Sequence, residues 1–278
     1  MVSIGIAAAL TSAGLQAGAH ALTKGGDDKL IVRGLVGATC LFTSLPFLLL
    51  VPLPDTTMWL WLALSTGVHA VYQLTLIKAY ELGDFSITYP VARGVAPIGA
   101  AAGAMLLMGE RLPLPAIAGV AFVSAGILSF VAGERTKRKA LAAALATGFL
   151  IIAYTLVDAR GVRAGDGTWS FVPWFFLMDG VTMMTLTATL RGRRLVDGIR
   201  ANFRQGAAAG LASVATYTLA LIALKLAPVG AASALRETSV VYGLIIARFC
   251  LGEKVGVKRL IAGSTICIGS LLVAASLR

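Results

Sequence analysis

Ionisable side chains inside long apolar runs are the residues of this sequence best placed to do chemistry. Arg93 lies about midway along one such run, between Pro90 and Pro97, and Arg236 is followed directly by Glu237 in another. A charge at membrane depth costs on the order of 3 kcal/mol, so it is expected to face a partner or a wet cavity. Because the planar guanidinium fork matches a carboxylate or phosphate, we predict that Arg93 and Arg236 bind an anionic group. A structural ion pair is the alternative for Arg93.

Three further side chains are candidates for coupling to protons. Removing a carboxylate from water favours its protonated form, so Glu237 is a candidate for binding either a proton or a substrate ammonium. Asp179 lies near the middle of another apolar run, and the sequence leaves open whether Arg93 or Arg236 pairs with it. His69 is the third candidate, because imidazole titrates near neutral pH. Its alternative role is a hydrogen-bonded tie between helices.

Polar and aromatic side chains on three apolar runs complete the predicted substrate site. They are Gln16, His20, Tyr72, Gln73 and Tyr217. Tyr72 lies one helical step from His69 on a shared face, and Gln16 shares a face with His20 for the same reason. Lining a cavity and packing between helices are both open for Gln16 and His20. Simple packing is the alternative for Tyr217.

Signatures of enzymes and of bound metals are missing from the sequence. No Walker loop is found, so we expect no ATP-driven pumping by this chain. The two histidines are far apart and lack metal-ligand spacing with cysteines or carboxylates. The three cysteines are scattered through apolar runs. We therefore predict a protein that is not an enzyme and that has no cofactor and no metal site.

The elements that position these residues are apolar helices. The chain has 278 residues, of which 58% are hydrophobic and 13% charged, and its mean hydropathy is +0.85. Soluble proteins have about 25% charged residues. Strands with open edges would leave backbone groups unpaired in lipid, so we predict an all-α integral membrane protein with about ten transmembrane helices. The predicted spans are 2–22, 30–53, 57–81, 85–108, 113–133, 139–157, 169–190, 205–226, 229–251 and 257–277.

Charges between the apolar runs indicate a membrane protein rather than a nucleic-acid-binding one. The formal net charge is +11, but Lys and Arg lie in short clusters such as Arg135 to Lys139, with no basic face interleaved with aromatics. Fifteen Lys and Arg flank the connections between spans one and two, five and six, seven and eight, and nine and ten, against five on the opposite side. By the positive-inside rule, this bias predicts that the first set lies in the cytoplasm and that both termini lie outside.

The second half of the sequence repeats the first. An offset of 143 residues aligns Gly109-Glu110-Arg111 with Gly252-Glu253-Lys254 and places Arg93 on Arg236. Each copy holds five predicted helices, and an odd number forces the copies into opposite orientations. The predicted domains are a first five-helix repeat, 1–135, and a second, 136–278.

Four short motifs in a fixed order resemble those of a known family. They are Tyr89 to Gly94, Gly109 to Arg111, Ala234 to Ser239 and Gly252 to Lys254. Over the whole chain, their order resembles the EamA type of the drug/metabolite transporter superfamily. The resemblance implies a ten-helix carrier with a central cavity, whose relatives move amino acids, other metabolites, sugar conjugates or toxic cations. It also implies that both termini lie inside, the reverse of what the charge bias predicts.

Taken together, these features predict a secondary active transporter that exports a small anionic or zwitterionic metabolite, such as an amino acid or organic acid, by alternating access. The expected partners are the small-molecule substrate, the lipid bilayer and, as the coupling ion, protons. The expected location is a bacterial inner membrane. A flippase for a lipid-linked phosphate or polyprenyl-phosphate conjugate is the alternative, since two arginines could hold a phosphate head. A scaffold or sensor ranks last, because it gives no reason to keep four charges at membrane depth.

Overall fold

The protein is a bundle of α-helices in the computed structural model. The model describes residues 1–23, 28–83, 85–132, 137–164, 168–192, 195–249 and 256–277, and it describes their side chains except at 19–23, 29, 85–86, 168 and 247. Over these residues the chain forms helices and turns without any strand. The helices are α1 (Val2–Thr23), α2 (Lys29–Leu48), α3 (Thr56–Leu82), α4 (Phe85–Met108), α5 (Leu114–Ser129), α6 (Arg138–Arg163), α7 (Thr168–Arg191), α8 (Leu195–Leu226), α9 (Val229–Arg236), α10 (Ser239–Phe249) and α11 (Val257–Ser276).

The lengths and hydropathy of the helices match a membrane protein. In the described part of the chain, eight segments are long and apolar enough to cross a membrane, and α9 and α10 together form one of them, Val229–Ile246. Two shorter apolar helices, Val2–Gly18 and Leu114–Ser129, accompany them. The prediction of an all-α membrane protein with about ten spans is confirmed.

The ninth predicted span, 229–251, is interrupted instead of continuous. Helix α9 ends at Arg236, and α10 begins at Ser239. Neither Gly nor Pro lies between these two residues, so the usual signals of a helix end are missing from the sequence. The interruption places Arg236 and Glu237 at a helix end within the span.

Hydrogen bonds of 3₁₀ type produce this interruption. The Glu237 amide donates to the Ala234 carbonyl at 3.1 Å, and the Thr238 amide donates to the Leu235 carbonyl at 3.2 Å. Bonds to the residue three positions back tighten the chain and end the α-helical ladder. The Thr238 hydroxyl also donates to the Leu235 carbonyl, at 2.7 Å. Such local hydroxyl bonds compete with helical ones, which gives a physical reason for the break.

The sixth predicted span, 139–157, ends too early. Helix α6 continues to Arg163, and it carries Asp158 and Arg160 on its last turns. Asp158 is fully buried there, with 0% exposure. In the sequence, charged residues close to the end of an apolar run indicate a loop. In the structure these residues belong to α6, whose last turns pack inside the bundle.

Helix α9 lies at the centre of the bundle. Every residue from Val229 to Leu235 is buried, and α9 packs against α1, α4, α5, α6, α8 and α11. Around it α5 packs on α11, α2 on α7, α1 on α8 and α3 on α6. A two-fold relation between residues 1–135 and 136–278 would place the α1–α8 pair on the α6–α3 pair and would place each of the other two pairs on itself. The division of the chain into those two repeats stays a prediction.

Helices α2 and α7 cross at two glycines that are separated by the repeat offset. Gly37 and Gly180 lie 143 positions apart in the sequence. A Cβ atom on Gly180 would lie 2.6 Å from the carbonyl oxygen of Gly37 and 2.7 Å from the Cβ of Leu41. Both distances are too short for real atoms, so only hydrogen fits at this crossing. Small residues of this kind allow close helix packing in membranes.

Candidate functional site

Arg93 of α4 and Glu237 at the end of α9 form a buried ion pair. Arg93 Nε donates to Glu237 Oε2 at 2.9 Å, and Nη2 lies 2.8 Å from Oε1. The two side chains are only 6% and 4% exposed. The Tyr89 ring centroid lies 5.9 Å from Arg93 Cζ, within the range of a cation–π interaction. One hydrogen bond and one close contact of opposite charge neutralise this guanidinium in a dry environment, although its Nη2 atom makes no hydrogen bond in the described part of the chain.

Arg236 has different surroundings from Arg93, although the repeat aligns the two residues. It is half-buried at the C-terminal end of α9. Its Nε atom is buried and has no hydrogen-bond partner among the described residues. The neighbouring carboxylate, Glu237, is occupied by Arg93. Arg236 therefore offers at least one unsatisfied donor inside the bundle.

A second polar cluster lies where α3, α6 and α8 meet. Asp158 Oδ1 accepts from the Ser65 hydroxyl at 2.5 Å, and Oδ2 lies 3.1 Å from His69 Nε2. The Tyr217 hydroxyl donates to the same Oδ2 and lies 2.8 Å from His69 Nε2. Ser65 and His69 are four residues apart, so they share one face of α3. One carboxylate is thus held by donors from α3 and α8.

Two tyrosines lie between these clusters. The Tyr154 ring stacks on the His69 imidazole with a centroid distance of 4.2 Å, and it meets the Tyr72 ring edge-on at 5.2 Å. Both tyrosines are also within electrostatic range of Arg93 and Arg236. The two clusters therefore belong to one continuous polar and aromatic region.

Asp179 has a partner that was not considered from the sequence. The Nη2 atom of Arg33 in α2 donates to Asp179 Oδ2 at 3.0 Å, and the Asp179 side chain is 4% exposed. In the sequence, Arg33 was counted among the charges that flank the first connection. In the structure it lies inside α2 and ties α2 to α7. The coupling role of Asp179 stays a prediction.

The turn at Gly109 and Glu110 connects three parts of the bundle. Gly109 follows α4 with a φ of 67°, a left-handed conformation that glycine adopts without strain. The Glu110 carboxylate accepts from the Val229 amide at 2.8 Å and from Arg163 Nη1 at 2.6 Å. A carboxylate at this position satisfies a free amide and complements the dipole at the start of α9. The turn is structural, and Glu110 is bound to other helices.

Among the described residues, two predicted substrate contacts, Gln16 and Gln73, have no hydrogen-bond partner that identifies their role. Gln16 is half-buried on α1, and its Oε1 is buried without a hydrogen-bond partner in the described part of the chain. Gln73 is half-buried on α3. The His20 side chain and the whole Gly252-Glu253-Lys254 motif lie outside the described residues. Roles of Gln16, His20 and Gln73 as substrate contacts stay predictions.

Asp158 and Ser65 are the residues of this region that sequence reasoning missed. Asp158 is one position beyond the predicted end of the sixth span, close to Arg160 and Arg163, and so it resembled a loop charge. Ser65 is an ordinary small polar residue in an apolar run. Its four-residue spacing from His69 was the available signal, since a polar stripe on one helix face needs a polar partner.

Comparisons with known proteins agree with this architecture. Residues 138–275 match the EamA-like transporter family. The chain aligns over 100% of its length with 98% of a solved chain titled "Crystal structure of protein", at a TM-score of 0.78 and 20% identity, which shows a shared fold. No curated protein matches the sequence. The chain belongs to the EamA-like transporter family, and so to the drug/metabolite transporter superfamily. It is therefore a multi-pass membrane protein of a transporter family.

Proposed function

We propose that this protein is a secondary active transporter that exports a small anionic or zwitterionic metabolite, such as an amino acid or organic acid. The observation that carries the proposal is the unequal state of two equivalent arginines. Arg93 is neutralised by Glu237, whereas Arg236 has a buried Nε without a partner among the described residues. A guanidinium in a membrane interior that keeps an unpaired donor is stabilised by an anionic ligand.

The surroundings of Arg236 suit a carboxylate that carries an ammonium group nearby. The guanidinium fork can donate two parallel hydrogen bonds to one carboxylate. Tyr72 and Tyr154, which lie within electrostatic range of Arg236, offer aromatic faces to a cation. A zwitterion would satisfy both features, and an organic acid would satisfy the first.

Alternating access is supported by the contacts that cross between the halves of the sequence. The Arg93–Glu237 pair joins α4 to the end of α9, and the Asp158 cluster joins α3 to α6 and α8. A helix that is broken near the middle of a span, as at Glu237, is a common way to build a substrate site around which transporter halves move. Movement between the halves would have to keep or exchange these two contacts.

The test is substrate flux in proteoliposomes across a panel of amino acids, organic anions, phosphonates and cationic dyes. Arg236→Gln should lower the flux of the transported substrate at least about tenfold, because charge-assisted contacts contribute about 1.5–3 kcal/mol. Arg236→Lys should restore part of it, since an ammonium lacks the planar fork. Flux equal to wild type in Arg236→Gln would contradict the proposal, as would transport restricted to cationic dyes.

A matched control for this substitution is available on the next helix. Arg248 is exposed in the last turn of α10. Arg248→Gln removes the same charge without touching the central region, so we expect unchanged flux. A second readout is the thermal stabilisation of purified protein by each compound in the panel, which Arg236→Gln should abolish and Arg248→Gln should retain.

A test of the direction of transport needs the orientation of the chain. We propose export, to be measured as efflux from preloaded cells. Orientation can be tested with a cysteine at Val196, which is 56% exposed at the start of α8. The charge bias predicts that an impermeant thiol reagent will not label this position in intact cells.

A flippase for a lipid-linked phosphate is the second candidate, and it needs an opening from the lipid to Arg236. The structure describes an apolar groove of about 370 Å³ whose walls come from α2 and α8 and include no residue of α9 or α10. The groove is lined by Leu35, Ala38, Thr39, Phe42, Thr43, Phe203 and Ala207. For that reason we rank soluble substrates first, and scrambling of a fluorescent polyprenyl phosphate in the same liposomes tests the alternative.

A further inference from the structure

The apolar groove between α2 and α8 is built to hold hydrocarbon. It encloses about 370 Å³, and its walls are five residues of α2, from Leu35 to Thr43, together with Phe203 and Ala207 of α8. The Thr39 hydroxyl donates to the Leu35 carbonyl at 2.9 Å, and the Thr43 hydroxyl donates to the Thr39 carbonyl at 2.7 Å. Because both hydroxyls are satisfied within their own helix, the side chains that line the groove have no hydrogen-bonding group left to offer a polar ligand.

Helices α2 and α8 run in the same direction beside this groove. A Cβ atom on Gly198 would meet Ile31, and one on Gly210 would meet Thr39, so the order of the contacts is the same along both helices. The groove-lining part of α2, positions 35 to 43, is about 12 Å long at roughly 1.5 Å per residue. One leaflet of the hydrocarbon core is about 15 Å thick, half of about 30 Å. The groove therefore has the direction and the length of an acyl chain in one leaflet.

Two exposed arginines lie at the polar end of the groove. Arg200, Phe203, Arg204 and Ala207 have the spacing that places them on one face of α8. Neither arginine forms an ion pair with a carboxylate in the described part of the chain, and Asp197, one turn before Arg200, is equally unpaired there. This face therefore keeps a net positive charge. The eighth predicted span begins at residue 205, so both guanidinium groups are within reach of the lipid headgroups.

We propose that this groove binds one anionic phospholipid of the membrane, with an acyl chain between α2 and α8 and with the headgroup phosphate on Arg200 and Arg204. The guanidinium fork matches a phosphate group. Basic residues beside a pocket between membrane helices are a typical site for an anionic headgroup. The walls of the groove include no residue of α9 or α10, so the lipid is a partner of the transporter and not its cargo. The inference is independent of the proposed function for that reason.

A second copy of this chain fits the groove less well than a lipid. A two-fold axis along the membrane normal would set this surface against itself. Arg200 and Arg204 of one copy would then face the same two residues of the other copy, and like charges across an interface disfavour the contact. A phosphate between the two arginines neutralises them instead.

Native mass spectrometry of the purified protein tests the headgroup contact. Dioleoyl phosphatidylglycerol and dioleoyl phosphatidylcholine have the same tails and differ in headgroup charge. Wild type should bind phosphatidylglycerol at least about tenfold more tightly, because contacts between charged groups are the stronger hydrogen bonds. Arg200→Gln combined with Arg204→Gln should abolish this preference. Equal binding of both lipids by wild type, or a preference that the double variant keeps, would overturn the proposal.

A matched control removes two exposed basic residues from the start of another helix. Arg138→Gln combined with Lys139→Gln lowers the charge at the start of α6 by the same amount. This variant should keep the preference for phosphatidylglycerol. If it loses the preference as fully as the α8 variant does, net charge and not a site on α8 selects the lipid, and the proposal is wrong.

The acyl-chain part of the site is tested by filling the groove. Ala207→Phe adds a ring where the chain would lie, so this variant should lose bound phosphatidylglycerol in the same measurement. Binding equal to wild type would overturn the assignment to the groove. A wild-type dimer that Ala207→Phe dissociates would identify a second copy as the occupant and would also overturn the proposal.

Fluorescence quenching locates the lipid in a bilayer. Phe203→Trp places an indole at the groove, and Phe149→Trp places one on the exposed surface of α6, with the same four native tryptophans in both variants. In phosphatidylcholine liposomes, brominated phosphatidylglycerol should quench position 203 at a lower lipid fraction than position 149. Brominated phosphatidylcholine should quench both positions alike. Equal quenching of the two positions by brominated phosphatidylglycerol would contradict a specific site.

Discussion

Two buried carboxylates join the halves of this transporter, and their electrostatic settings are opposite. Glu237 is paired with Arg93, an arginine whose charge is permanent. Asp158 is held by two hydroxyls and the imidazole of His69, without an arginine among its described partners. The first region joins α4 to the end of α9 through opposite charges, and the second joins α6 to α3 and α8 through hydrogen bonds. The nature of the partner, more than the depth of burial, separates the two roles.

The largest effect on stability is expected from breaking the Arg93–Glu237 pair. Arg93→Gln or Glu237→Gln leaves one charge buried alone, which costs about 3–5 kcal/mol. The double variant should recover most of this loss, because neither charge remains. Thermal unfolding in detergent measures all three variants, with Arg236→Gln as the comparison that removes an arginine without a described ion pair. A fully stable Glu237→Gln protein would show that this pair does not fix the helices.

A second prediction concerns the cluster around Asp158. In His69→Gln the amide can still donate to Asp158 but cannot become cationic. We expect the free energy of unfolding, measured by thermal unfolding in detergent, to fall by only about 1–2 kcal/mol. His20→Gln, at the other histidine of the chain, is the control. A loss of stability in His20→Gln as large as that in His69→Gln would contradict a specific role of the Asp158 cluster.

The Glu110–Arg163 pair extends the comparison to a carboxylate with a permanent countercharge near a helix end. Glu110→Gln keeps an acceptor for the Val229 amide but loses the charge that faces Arg163 and the start of α9. The expected cost is about 1–2 kcal/mol, independent of pH near neutrality. Glu81→Gln is the matched control, because Glu81 and its partner Lys78 are 58% and 63% exposed. That exposed pair should contribute less than about 0.5 kcal/mol.

The smallest effect is expected at Asp28, which caps α2 and binds Arg191. The Arg191 guanidinium, mainly through its hydrogen bonds, holds the pKa of the Asp28 carboxyl below its ordinary value of 3.8. Because the pKa is lower in the folded state, the pair stabilises fully above that ordinary value, and its contribution is lost as pH falls through the folded value. Asp28→Asn keeps the helix cap and should cost under about 1 kcal/mol at pH 7.

The pH profile of this variant tests whether the Arg191 countercharge is permanent. Unfolding midpoints of wild type and Asp28→Asn should differ by a constant amount from pH 8 to pH 5 and should converge only in acid, below about pH 4. If the difference between the two unfolding midpoints changed around neutral pH, the Asp28–Arg191 pair would titrate there. That result would contradict the prediction.

The sequence alone determined the membrane setting, the helices and the depth of Arg93, Arg236 and Glu237. Hydropathy over about 20 residues decides whether a segment can cross a bilayer, and this property is local to each segment. The repeat offset also aligned Arg93 with Arg236 and so indicated equivalent positions for the two arginines in the two halves of the sequence. Family membership followed from short motifs in a fixed order and was confirmed by the match over residues 138–275.

Only the tertiary structure decided which carboxylate meets which partner. Arg93 and Glu237 are 144 residues apart, and Arg33 and Asp179 are 146 apart, so their contacts depend on how whole helices pack. The break after Arg236 arises without Gly or Pro. Asp158 resembled a loop charge until α6 was seen to continue beyond it. Hydropathy places a charge at a depth in the membrane, but the neighbours that neutralise or titrate it come from distant helices, and these exist together only in the folded bundle.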